Sequence, residues 1–232
     1  MAIPPILDNK NASAPSVFAG GTVTRGTAAE ETGHDVGIVG RVVGASFAVL
    51  VAEELFASGC RLLISLTSAG QIVASAPPPY FIIIDRALRD EGTSYHYSAP
   101  SEYANACPRL LAAATEALKH DGPRMIVGAS WTTDAPFRET SDAIQAAADK
   151  GILAVEMEAA ALYAFAAARG CKIICVAHVT NTMAQDGADF EKGQDDGTVD
   201  ALAVLGNIVA ALIGRGPLVG RKGRFSCNSS LC

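Results

Sequence analysis

From His34 onward the chain keeps switching between short apolar runs that break at glycine and longer runs with an apolar face at helical spacing. That alternation constrains the fold more than any other feature. Strands joined by helices of these lengths imply a largely parallel sheet with helices on both faces. The strand-like runs are HDVGIVG (34–40), RLLISLTSAG (61–70), YFIIID (80–85), RMIVGASW (124–131), ILAVEME (152–158) and KIICVAHVT (172–180). Between them, helices are predicted over 45–59, 107–122, 141–151, 159–170 and 196–213. The stretch RDEGTSYHYSAPSEY (89–103) is polar, aromatic and rich in turn residues, so it reads as a surface excursion. No internal repeat is visible.

A length of 232 residues fits one α/β domain, placed at 35–213. Half the residues are apolar and 18% are charged, which excludes disordered, collagen-like and coiled-coil chains. Residues 1–34, with Pro4, Pro5, Pro15 and several glycines, read as an arm or loop. The chain carries 18 basic and 24 acidic side chains. Four of the basic ones (Arg215, Arg221, Lys222 and Arg224) lie in residues 214–232, which hold no acid and read as a disordered basic tail. The remainder therefore has 14 basic against 24 acidic side chains, a net of −10. An acidic body repels a phosphate backbone, so nucleic acid is not an expected partner. No apolar run is long enough to cross a bilayer and the N-terminus has no secretory build, so a cytoplasmic protein without a membrane partner is expected. The six cysteines form no CxxC pair and no zinc spacing, and the four in the body read as small core residues.

In folds of this class ligands sit at the carboxyl ends of strands. The chemistry-bearing residues fall there, at Gly40–Ser46, Thr67–Gly70, Ser130–Arg138, Glu156–Glu158 and Thr180–Thr182. The most specific segment is VEMEAAALYAFAAARG (155–170). Glu156 and Glu158 flank Met157 at the close of a buried strand, directly before an Ala-rich helix. Two solvated carboxylates at a strand end would be ordinary. Buried ones cost several kcal/mol each unless donors from the protein or a ligand satisfy them.

Here the sequence resembles the nucleoside phosphorylase/nucleosidase superfamily, whose hallmark is this V-E-M-E-(A/S)-A stretch. The resemblance covers roughly residues 36–213 and extends to four further blocks in the same order. GASFAVLVAEELFASGCRLLISLTSAGQI (44–72) is similar to the family's block ending in (I/V)-R-x-G-T-x-G. EGTSYHYSAPSEY (91–103), GASWTTDAPFRET (128–140) and HVTNTM (178–183) look like segments of the uridine phosphorylase branch. The resemblance implies a three-layer α/β/α fold and phosphorolysis of a nucleoside, uridine-like by preference, to free base and ribose-1-phosphate. It implies no cofactor and no metal, with inorganic phosphate as co-substrate. It also implies sites shared between subunits, hence a homo-oligomer, either a dimer or a ring of dimers.

Carried onto this chain, the motif gives Glu158 the ribose hydroxyls, Met157 a packing place on the sugar, and Glu156 a supporting role beside it. An anionic clamp suits the chemistry, because glycosidic cleavage passes through an oxocarbenium-like sugar. Ser68 corresponds to the residue contacting phosphate and sugar. Backbone N–H groups around Gly40, with Arg41, are further phosphate candidates. Arg138, Thr180 and Asn181 fall where the base is read. Asn181 stands where purine-cleaving relatives carry the Asp that protonates the leaving base, and an amide cannot do so. That substitution agrees with the uridine branch. His96 is a candidate to cover the site or meet a subunit, whereas His178, among Ile174, Val176 and Val179, reads as a core histidine.

Two departures from the family pattern matter. Ser65 stands where the strand normally carries its phosphate-binding Arg, and the N-terminal Gly-Asp-Pro-x-Arg loop is absent. Each lost charge-assisted bond is worth ~1.5–3 kcal/mol. Three readings stay open: a phosphorylase using Arg41 or a subunit's Arg, a nucleosidase using water, and a non-catalytic nucleoside-binding relative.

Overall fold

In a computed structural model the described residues are 17–18, 21–25, 36–117, 122–182 and 194–213. The predicted basic tail, and most of the predicted N-terminal arm, lie outside them. Within that arm, β1 (Val17–Phe18) and β2 (Gly21–Arg25) are strands. They join β3 (Gly37–Val39) in a small antiparallel sheet of order β1–β2–β3. Part of the span read as loop is therefore paired backbone.

The main body follows the predicted order with ends shifted by a few residues, except that β6 is a strand the sequence did not predict, beginning at the last residue of the polar excursion. It runs α1 (Ala45–Ala57), β4 (Leu63–Gln71), β5 (Tyr80–Asp90), β6 (Tyr103–Asn105) and α2 (Pro108–Ala117). Then come β7 (Met125–Thr133), α3 (Ser141–Asp149), β8 (Ala154–Glu156), α4 (Ala159–Arg169), β9 (Ile173–Thr182) and α5 (Thr198–Ile213). The largest extension is β5, which continues five residues past the predicted end and takes in the start of the polar excursion. The excursion itself forms a 3-10 turn at Ser94–His96.

The class is α/β and the sheet is mixed, its two longest pairings being parallel. β4–β9, β5–β7 and β7–β8 pair parallel, while β4–β8, β5–β6 and β5–β9 pair antiparallel. The order is β6–β5–β7–β8–β4–β9, and the β5–β9 pairing closes five of these strands into a ring. A long β5 makes closure possible. Residues 80–83 pair with β9 and residues 86–88 with β6, while the other edge carries β7. A bulge between Ile84 and Ala87 separates the two stretches.

Burial follows from this arrangement. Residues Tyr80–Ile84 of β5 and Ile173–Thr180 of β9 are buried without alternation, as expected for strands covered on both faces. The first seven residues of α4 are all buried too. Its alanines let it lie close against the sheet, with Phe165 meeting Phe56 of α1 at 6.0 Å between ring centres. Tyr163 fixes the helix to two strands by donating to the Ile84 carbonyl at 2.6 Å and accepting from the Cys175 N–H at 3.0 Å. Burial raises the Tyr163 phenol and the Cys175 thiol well above their usual ranges, so both remain neutral. Ala129, Trp131 and Val155 form a second cluster with Ala147 of α3 and Ile152. By strand alternation this leaves Ser130, Thr132 and Glu156 on the other side of β7 and β8.

Candidate active site

The V-E-M-E turn is built around the Glu156 carboxylate. Its Oε1 accepts from Ser130 Oγ at 2.9 Å and from Thr132 Oγ1, both on the neighbouring strand β7. Its Oε2 accepts the N–H groups of Glu158 and Ala159, each at 2.7 Å. Those two N–H groups belong to the start of α4, where no helical carbonyl precedes them. Thr132 Oγ1 accepts the Ala160 N–H at 3.0 Å, tying β7 to the same helix end. Glu156 is thus a buried side-chain cap for the core helix, and its four donors explain how a carboxylate is tolerated at 3% exposure. Burial, and then the charge of Glu158, lift its pKa to about 7 against the lowering effect of those donors.

Glu158, also buried, turns elsewhere. Its Oε1 accepts the Gly44 N–H at 2.7 Å and its Oε2 accepts from Thr67 Oγ1 at 2.8 Å. This draws together three places far apart in sequence: the segment after β3, the middle of β4 and the turn after β8. Gly44 sits at φ 92°, a conformation that L side chains rarely adopt, which allows the backbone N–H to point at the carboxylate where α1 begins.

A cavity of about 220 Å³ opens beside this turn. Ser68, Ala69, Gly70, Pro136, Glu139, Val155, Glu156, Met157 and Asn181 line it, and none of them is basic. Asn181 arrives there through a bulge in β9. Ala69 pairs with Val179 and Gly70 with Asn181, so Thr180 is an extra residue in the ladder. The Thr180 hydroxyl is buried and lies 3.0 Å from Ser68 Oγ.

The structure therefore brings Ser68, Glu156, Met157 and Asn181 to one cavity, with Thr180 hydrogen-bonded to its wall. Glu158 lies immediately behind, bonded to the residue next to Ser68. Gly40 and Arg41 are exposed, and Arg41 is held at φ 63° three residues before Gly44. Arg138 sits in a 3-10 turn at Pro136–Arg138 and is exposed outside the lining, while Pro136 and Glu139 on either side contribute to it. His96 is exposed at the end of its 3-10 turn. His178 is buried at 8% exposure and stacks on Phe81 with ring centres 4.4 Å apart.

Sequence reasoning gave no site role to Glu139, Thr67, Ser130 or Thr132. Glu139 follows Arg138 in the quoted block and is half-buried against the cavity, where burial raises its carboxyl above the usual range. Ser130 and Thr132 had one legible signal, their alternation on a strand beside the acidic one. Among the described residues no group of three or more His, Cys, Asp or Glu is placed to hold a metal ion, and no helix is long and apolar enough to cross a membrane.

Comparison with known proteins adds a family. The model of the Phosphorylase superfamily matches residues 3–213. A guanosine phosphorylase from Halorubrum lacusprofundi is 26% identical over 188 residues, 78% of either chain. A purine nucleoside phosphorylase DeoD-type from Bacillus cereus is 31% identical over 151 residues, and one from Bacillus thuringiensis is 30% identical over the same length. Each of these two matches spans 64% of this chain and 64% of the relative.

Proposed function

The chain belongs to the phosphorylase superfamily, and from that premise we propose that it is a nucleoside phosphorylase acting on a 6-oxopurine nucleoside such as guanosine. In this reading phosphate oxygen bonds to the anomeric carbon as the glycosidic bond breaks. The bonding pair leaves with the base, which takes the proton shed by dihydrogen phosphate by way of solvent, and the products are ribose-1-phosphate and free purine. In this reading the Glu158 carboxylate faces the positive charge that develops on the sugar, with Glu156 in support, which favours that transition state electrostatically. Glu158 takes the ribose hydroxyls, Met157 the sugar face, and Ser68 the phosphate together with Gly40 and Arg41.

The observation that carries the choice of base is the placement of Glu139 and Asn181 on one cavity wall system, with Arg138 outside it. A carboxylate only accepts and an amide also donates. Guanine offers a ring N–H beside an amine on one edge, and carbonyl and N7 acceptors on the other. Glu139 suits the first edge and Asn181 the second. The cavity is smaller than the ~300–1,000 Å³ of typical whole-ligand sites, which suits a base with its sugar in the mouth. The names carried by the relatives, guanosine and purine nucleoside phosphorylase, support the same choice.

A second reading, uridine phosphorolysis, is favoured by Asn181 standing in place of an acid. One assay separates them. The purified protein is incubated with guanosine, inosine, adenosine, methylthioadenosine and uridine, with and without phosphate, and base and sugar products are identified. Phosphate-dependent release of guanine or hypoxanthine with ribose-1-phosphate is expected. Faster cleavage of uridine would transfer the proposal to that base. Ribose formed independently of phosphate would make the protein a nucleosidase, and no turnover would leave a binding protein. A homo-oligomer, with His96 at a subunit contact, is part of the same proposal and is checked by light scattering.

A further inference from the structure

The two glutamates of the turn differ in how many acceptor sites they have left. An ionised carboxylate has about four lone-pair sites. Glu156 receives four donors, two on each oxygen. Glu158 receives one donor on each oxygen from the described residues, the Gly44 N–H and the Thr67 hydroxyl. Among the described residues, one site per oxygen is therefore left on Glu158 and none on Glu156. Two open sites on adjacent oxygens match the two O–H donors of a vicinal diol.

We propose that Thr67 is a positioning residue for Glu158: its hydroxyl, with the Gly44 N–H, fixes the carboxylate so that both oxygens accept from a cis-diol at once. This rests on the reading of the ligand as a ribonucleoside. Thr67 Oγ1 has one proton and two acceptors in reach, Glu158 Oε2 at 2.8 Å and the Ser68 carbonyl at 3.3 Å. The shorter contact to the charged group takes the proton. Without that donor the Glu158 side chain is held by a single N–H, and its plane turns about that bond. A diol that needs both oxygens loses more than a sugar offering one hydroxyl. In this scheme Thr67 acts only through Glu158, to which its hydroxyl is bonded.

The test is calorimetric titration of guanosine and 2′-deoxyguanosine, in the absence of phosphate, into the wild type, Thr67→Val and Thr67→Ser. The wild type is expected to prefer guanosine by about tenfold, the equivalent of one hydrogen bond to a charged group. Thr67→Val removes most of that preference with little change for the deoxynucleoside. Thr67→Ser, which keeps the hydroxyl, restores it. Thr67→Ala supplies the same loss where the valine variant folds poorly. An unchanged preference in a folded variant lacking the hydroxyl overturns the proposal, as does a wild type with no preference between the two sugars. A wild type that prefers the riboside yet releases no base with phosphate would overturn the phosphorylase reading and leave the role of Thr67 standing.

Discussion

Glu156 and Glu158 stand two residues apart, yet the donors around them give opposite duties. Glu156 is enclosed, and its folded pKa of about 7 lies above the unfolded value of ~4.3 for a glutamate. The folded state therefore binds the proton more tightly. Its favourable contribution is complete below pH ~4.3 and is lost as pH rises through 7. Glu156→Gln keeps an acceptor for the helix N–H groups and offers an amide that the Ser130 and Thr132 hydroxyls can accept. Urea unfolding at pH 5 and pH 8 should show the wild type losing more stability at pH 8 than Glu156→Gln does. Equal losses would mean that Glu156 does not titrate in this window. Around the cavity, Glu139→Gln should lower kcat/KM for guanosine about 10- to 100-fold, the cost of charge-assisted bonds of ~1.5–3 kcal/mol. The exposed Arg138→Ala should leave it nearly unchanged. A large effect of Arg138 with none of Glu139 would return base reading to Arg138, as the sequence resemblance implies.

At the scale of elements, α4 is the hub, and Tyr163 is the bolt that holds it. Its hydroxyl serves a carbonyl on β5 and an N–H on β9, so Tyr163→Phe strands both groups in the core. Each unsatisfied buried group costs ~1–3 kcal/mol, and a fall of about 2–6 kcal/mol in urea-measured stability is expected. A loss below 1 kcal/mol would mean that water or a backbone shift replaces the phenol. The excursion after β5 has a comparable anchor. Arg89, buried, donates to Ser94 Oγ at 2.8 Å, the Ala99 carbonyl at 2.8 Å and Ser101 Oγ at 2.7 Å, and lies 4.1 Å from the Tyr95 ring centre. Nothing in the local composition of RDEGTSYHYSAPSEY marks that arginine as internal. Helices and strands were legible because periodicity is a local property, and α4 was legible as a helix from its alanines. Where α4 sits was not, because an all-apolar helix has no face that names its neighbour. The bulge in β9 was equally hidden: Val179, Thr180 and Asn181 show regular spacing, and only pairing with β4 reveals which residue is extra.

For the whole molecule, closure of the ring is the feature least available from sequence. It depends on β5 carrying two partners along one edge, a matter of long-range pairing rather than composition. The turn motif and the strand ends were readable because their chemistry is unusual where it occurs; Gly44, Thr67 and Glu158 meet only because the fold brings them together. That meeting links two parts of the proposed site. Gly44 ends the segment that begins with Gly40 and Arg41, the phosphate candidates, and its N–H holds the carboxylate assigned to ribose. An anion that orders residues 40–44 should therefore tighten nucleoside binding, and by linkage the nucleoside should tighten the anion by the same factor. Sulfate serves as an anion that cannot react. Guanosine titrated with and without saturating sulfate should differ about fivefold or more, a coupling of ~1 kcal/mol. Gly44→Ala tests the connection. A methyl at this position meets no atom within 4 Å, so the penalty comes from the backbone at φ 92° alone. That strain is worth ~1–3 kcal/mol and pulls the N–H off Glu158. Both ligands should then bind independently, with the sulfate effect on guanosine reduced to none. Coupling that survives intact in a folded Gly44→Ala protein would show that communication between the subsites runs elsewhere than through the Gly44–Glu158 bond.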